Sequence, residues 1–159
     1  MKYKHIYLSP HYDDAALSCG GSIHRQTRQQ EPVAVITVFA GAPDLPNVAL
    51  SKLAQAVHKE FTFLNPNPSP QDIVAARRRE NEQAMLFLGA DSICLEQFHD
   101  SIYRGIPEQN IFFYRRMKDI LGEVHPDDAT ITEEIGVASR VIIYLREAGR
   151  CSWAVIEYT

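Results

Sequence analysis

The sequence predicts an α/β fold, a Rossmann-like three-layer sandwich with helices on both faces of a mostly parallel central sheet. Three observations carry that expectation. Short apolar runs alternate with longer stretches of helical periodicity, the pattern of strands joined by crossover helices. The run at 33–39, Val-Ala-Val-Ile-Thr-Val-Phe, is β-branched and nearly all apolar, as a strand buried on both faces must be. The 159 residues are 45% hydrophobic and 23% charged, which suits one globular domain that buries about two thirds of its unfolded surface, so 1–159 is read as a single domain.

In chain order, Ile6, Tyr7 and Leu8 form the first strand candidate, ended by Ser9-Pro10 and a polar loop. Residues 15–28 read as a helix, broken or closely packed at Gly20-Gly21. The strand at 33–39 stops at Gly41. Residues 43–70 are rich in Pro and Asn, with one weakly helical piece at 50–58. Asn65-Pro66-Asn67-Pro68-Ser69-Pro70 must be a loop, because each Pro disfavours helix at the residue before it. Residues 71–88 carry an apolar stripe of Ile73, Ala76, Ala84, Phe87 and Leu88, with Gly89 placed as C-cap. A third strand is expected at 92–95 and a helix at 110–121, stopped at Gly122. A weak fourth strand at 129–131, a last helix at 137–148 capped by Gly149 and a fifth strand at 153–156 complete the pattern. A right-handed βαβ unit should make 6–8 and 33–39 neighbouring central strands.

The net charge is -4 and the one basic cluster, Arg77-Arg78-Arg79, lies in a helical pattern, so no nucleic-acid partner is expected. No run of about 18 apolar residues occurs, and the opening Met1-Lys2-Tyr3-Lys4-His5 leads into only a short apolar run. Neither a membrane span nor a secretory leader is expected. Cys19, Cys94 and Cys151 are widely spaced and form no C-x-x-C pair, which suits reduced thiols in a cytoplasmic protein.

In open parallel sheets ligands bind beyond the carboxyl ends of the strands, and His11, Asp13 and Asp14 lie there, directly after the first strand. Three ionisable side chains in such a place need a partner. An imidazole with a carboxylate is a standard part of a zinc site, and a catalytic site keeps one position for water. A second carboxylate, off the metal, could take a proton from that water. On spacing alone another reading stands beside this one: Asp13 or Asp14 caps the helix beginning near Ala15, and His11 is a loop histidine held by a carbonyl.

The run Leu8-Ser9-Pro10-His11-Tyr12-Asp13-Asp14-Ala15-Ala16-Leu17-Ser18-Cys19-Gly20-Gly21 resembles the opening signature of the LmbE/PIG-L deacetylases. That signature is a strand, His-Pro-Asp-Asp, and a small-residue helix with a Gly-Gly pair; Tyr12 stands here in place of the usual Pro. The resemblance implies His11 and Asp14 as metal ligands, Asp13 as the catalytic base, and zinc or another divalent ion as cofactor. The strand ending in Ala40-Gly41 is similar to the family's second strand. The helix with Arg77, Glu80, Ala84 and Leu88-Gly89 resembles its R-x-x-E helix. Arg77, and Asp100 in Phe98-His99-Asp100-Ser101-Ile102-Tyr103-Arg104, are implied to bind substrate. From the residues alone, Arg77 pairs with Glu80 on a solvated helix and Asp100 forms a turn. The implied activity is zinc-dependent removal of an N-acetyl group from an N-acetylglucosamine-type sugar or glycoconjugate; homo-oligomerisation is left open.

The resemblance weakens after about residue 130. The family's third zinc ligand, a His in a Gly-x-His-x-Asp-His segment, has no counterpart in residues 132–140, and the chain ends short of the usual family length. Glu133 or Glu134 is a substitute carboxylate. His125-Pro126-Asp127-Asp128 repeats the opening tetrapeptide but precedes the expected fourth strand, so it should make a turn at the sheet edge opposite the site. The alternative function is that of a catalytically impaired or inactive relative acting as a binding or regulatory protein on the same scaffold.

Overall fold

The structure, a computed structural model, describes residues 3–43, 50–63, 65–144 and 152–154. Its elements run β1 (His5–Ser9), α1 (Asp14–Arg28), β2 (Val33–Thr37), α2 (Lys52–His58), α3 (Pro70–Leu88), β3 (Asp91–Cys94), β4 (Gly105–Ile106), β5 (Ile111–Phe112), α4 (Met117–Ile120), α5 (Ile131–Tyr144) and β6 (Ser152–Ala154). The main sheet is parallel in the order β3-β2-β1-β6. β1 and β2 are its central neighbours, registered from His5 on Val33 to Ser9 on Thr37 and joined by α1, as a βαβ unit requires.

All five residues of β2 are buried, because strand alternation sends them to two different cores. Val33 and Val35 pack with Tyr7, Ala15, Ile23 and Met85 under α1 and α3. Ala34 and Ile36 pack with Ile6, Val38, Leu95 and Phe98 on the other face, where Ile131, Ile135 and Ala138 of α5 cover them. These are the three layers.

α1 runs unbroken through Gly20-Gly21, so of the two expectations there, a break or close packing, the break does not occur. Gly20 lies beside Leu88 of α3, while Gly21 faces open space. α3 has a capping box: Ser69 accepts the N–H of Asp72, and the Asp72 carboxylate accepts the N–H of Ser69. It ends at Gly89, whose φ of 76° is left-handed; a Cβ there would also lie 3.3 Å from Thr27.

The helix expected at 110–121 is replaced by a small antiparallel hairpin, β4 with β5, and the single turn α4. Ile111-Phe112-Phe113-Tyr114 is a β-branched and aromatic run without helical spacing. Asn110 sits left-handed before it at φ 55°, and Asp119 accepts the N–H groups of Arg115 and Arg116, so helix begins only at Met117. No strand forms at 129–131. Pro126–Asp128 is a 3₁₀ turn and α5 begins at Ile131, earlier than expected. Ile131, Ile135 and Ala138 share one helical face, and that buried stripe decides for helix. The expected end of this helix beyond Tyr144, its Gly149 cap and residues 155–156 of the last strand lie outside the described residues. Among the described residues no helix is long and apolar enough to cross a membrane.

Candidate active site

The loop after β1 is held from both sides. The buried Ser9 hydroxyl donates to the carbonyl of His11 at 2.6 Å and accepts the N–H of Ala15 at 3.0 Å. The carbonyls of Ser9 and Pro10 accept the N–H groups of Val38 and Phe39, which carries the β1–β2 ladder past the strand ends. Tyr12 is buried; its hydroxyl donates to the carbonyl of Ala40 at 2.8 Å and accepts from Nε of Arg78 at 3.4 Å. Burial raises its pKa, so it remains a neutral donor.

This loop presents His11 with 37% of its side chain exposed. Its backbone N–H donates to Oδ2 of Asp14 at 2.8 Å, and ring Nδ1 lies 3.2 Å from the same oxygen. Nε2 lies 3.5 Å from Oδ2 of Asp100, and the ring leans on Phe39 with centroids 5.8 Å apart. Asp13 occupies the N-cap position of α1 yet makes no side-chain cap bond. Its carboxylate, 55% exposed, instead accepts from Nη2 of Arg77 at 2.8 Å, a contact between residues 64 apart in sequence. The capping alternative thus fails for Asp13, and Arg77 reaches across to the loop.

Asp100 combines the two expected roles in position if not in function. Its Oδ1 accepts from the N–H of Ile102 and the hydroxyl of Ser101, starting a 3₁₀ turn at Ser101–Tyr103, and its Oδ2 faces His11. Gly41 brings this loop close: a Cβ on it would stand 2.1 Å from the carbonyl oxygen of Glu96. His11, Arg77 and Asp100 then open on one cavity of about 200 Å³, walled by apolar side chains including Phe39, Val57, Phe61, Ile73 and Ile102. A mainly apolar cleft with a few convergent polar groups is the usual form of a small-molecule site.

Behind the cavity wall His58 is buried, with Nδ1–H donating to the carbonyl of Pro68 at 3.1 Å and Nε2 accepting from the Tyr103 hydroxyl at 2.9 Å. Burial lowers the His58 pKa. Burial, helped by the Asp100 charge, pushes that of Tyr103 far up. No motif pointed to His58. The tetrapeptide 125–128 is also not remote from the site, contrary to expectation. Asp128 pairs with Arg104 at 2.7 Å, and that guanidinium lies over Phe39, the residue against which His11 leans. The expected separation assumed a strand at 129–131, where the chain instead turns and enters α5 at Ile131.

An imidazole nitrogen and a carboxylate oxygen side by side are donors of the type zinc takes, so His11 and Asp14 fit such an ion as two of its ligands. Among the described residues no three His, Cys, Asp or Glu side chains are arranged so that they could hold one metal ion together. Glu133 and Glu134 are exposed on the first turn of α5.

Solved proteins share this fold. The family model for PIG-L, GlcNAc-PI de-N-acetylase, matches residues 6–148. A 2'-N-acetylparomamine deacetylase from Niallia circulans is 29% identical over 130 residues, covering 79% of this chain and 46% of that protein. A solved deacetylase–teicoplanin complex from the teicoplanin biosynthesis pathway superposes with a TM-score of 0.71 at 27% identity, over 94% of this chain and 57% of the other. The zinc-inhibited form of a teicoplanin deacetylase gives 0.73 at 28% identity, over 94% and 55%. The chain thus spans about half the length of the relatives it matches. With the family model matching residues 6–148 of the 159, and the described sheet and helices shared with these deacetylases, the chain belongs to the PIG-L de-N-acetylase family.

Proposed function

We propose that this chain carries the hydrolytic site of a deacetylase that removes the N-acetyl group from an N-acetylglucosamine-type sugar or glycoconjugate, within a single domain. What supports the reading is the convergence of His11, Asp13, Asp14, Arg77 and Asp100, from three separate stretches of chain, at the carboxyl end of the central strands. His11 and Asp14 hold the metal, and Asp13, Arg77 and Asp100 face the substrate. A bound zinc or similar divalent ion supplies Lewis-acid polarisation of the acetyl carbonyl and acidification of water. Asp13 takes the proton of the attacking water as its oxygen bonds to the amide carbon. The C–N bond then breaks, the proton passes to the departing nitrogen, and acetate and a free amine result. Arg77, with five N–H donors, orients Asp13 and has others for sugar hydroxyls.

The test is zinc titration of the purified chain together with acetate release from an N-acetylglucosamine conjugate. Asp13→Ala should abolish turnover, by a factor on the order of 10² or more, with zinc affinity kept. His11→Ala and Asp14→Ala should each abolish zinc binding. Turnover that survives in Asp13→Ala would refute its assignment as base. The absence of a third donor among the described residues favours a second reading, a binding protein on this scaffold. Saturable binding of the conjugate without acetate release, at saturating zinc, would establish that reading instead.

A further inference from the structure

The His125-Pro126-Asp127-Asp128 run is built into a buried network. Its 3₁₀ turn leaves Asp128 only 7% exposed. The Asp128 carboxylate accepts from Nη1 of Arg104 at 2.7 Å and from the Tyr114 hydroxyl at 2.8 Å, and Tyr114 in turn accepts the N–H of His125 at 3.1 Å. The Arg104 guanidinium lies over two rings, 5.0 Å from the centroid of Phe39 and 5.2 Å from that of Tyr114. Two routes lead from it to His11. One passes through Phe39, whose ring abuts the His11 ring at 5.8 Å. The other is the backbone: Arg104 closes the 3₁₀ turn that Asp100 starts, and its carbonyl accepts the N–H of Phe113, which fastens the turn to the hairpin.

A buried ion pair seldom adds stability over an apolar packing of the same volume, because both charges lose water. A planar guanidinium clamped by a carboxylate does fix the rings it stacks on. We propose that Arg104 is a positioning residue: held by Asp128 and Tyr114, it sets Phe39 against the His11 ring and fixes the turn that aims Asp100 at Nε2. Its kinetic consequence rests on the deacetylase reading above; its effect on the His11 ring does not.

The experiment therefore has two readouts on the purified chain: the imidazole resonances of His11, assigned by His11→Gln, and kcat and KM on an N-acetylglucosamine conjugate at saturating zinc. The informative variant pairs Arg104→Met with Asp128→Asn, which removes both charges and leaves Tyr114 an acceptor. The His11 resonances should shift or broaden while those of His24, stacked on Phe87 on the outer face, stay in place. kcat should fall by about 10-fold or more with KM little changed, as expected when a reacting group is misplaced by less than an ångström. Arg104→Lys keeps the charge but not the flat face and should lie between, and it gives the same two readouts if the double variant does not fold. Unchanged His11 resonances in a folded variant would overturn the proposal. A wild-type chain without turnover would overturn the deacetylase reading, and the His11 spectrum would still decide the role of Arg104.

Discussion

His58 is sealed as a neutral ring between a carbonyl and a phenol, with its pKa held below the ordinary 6.5 by burial. The unfolded chain takes up a proton on this residue as pH falls through about 6.5, whereas the folded chain does so only at lower pH. Between those values the unfolded state binds more protons, so the stability that neutral His58 contributes is full above pH 6.5 and declines below it. His58→Leu should destabilise by about 2 kcal/mol at pH 7.5, since the Tyr103 hydroxyl is left buried without a partner. It should also flatten the decline; urea midpoints across pH check both, and parallel curves for the two proteins would contradict the linkage. Gly41 makes a sharper demand. Gly41→Ala must displace either the Phe39 side or the 96–99 side of the loop, at a cost of about 1–3 kcal/mol, read as a lower thermal midpoint. The five candidate site residues were proposed through resemblance, and their proximity follows in the structure, yet the contact between Arg77 and Asp13 was not legible. Spacing along a helix suggests Glu80 as the partner of Arg77, and only the packing of α3 beside α1 brings Asp13 within reach. Arg104 and Asp128 were illegible for the same reason: an ion pair across a folded loop has no periodicity.

At the scale of elements, α3 was the easiest to read, from its apolar stripe and the Gly89 stop, and the structure adds a capped start one residue earlier, at Pro70. Ser69 and Asp72 satisfy the first amides, Pro70 suits the first turn, and Gly89 adopts the left-handed stop. Ser69→Ala should cost about 1 kcal/mol. Gly89→Ala should cost about 1–2 kcal/mol from backbone strain alone, with the Thr27 contact adding to it. Denaturant midpoints of the two variants rank these terms, and a Gly89→Ala protein as stable as the parent would contradict the cap. The segment 110–131 was read poorly because its local signals conflict. An aromatic run favours strand, Asn110 and Asp119 impose turns, and the stripe that makes α5 a helix declares itself only against the far face of the sheet.

Across the whole molecule, the nearly unbroken apolar run of β2 announced the two-sided core, and the described architecture follows it. One pairing could not be read from any local pattern. β1 lies between β2, its near neighbour in sequence, and β6, at residues 152–154. Closing the first contact orders a short loop; closing the second orders nearly the whole chain, and the entropy of closure grows with length. Refolding should therefore proceed in two beats. In pulsed hydrogen exchange, amides of Val33–Thr37 should gain protection before those of Ser152–Ala154. His11, Asp13 and Asp14 lie on the stretch between β1 and β2 that closes in the first beat, and Arg77 and Asp100 join them before residues 152–154 pair, so the last strand closes the flank of a candidate site already made.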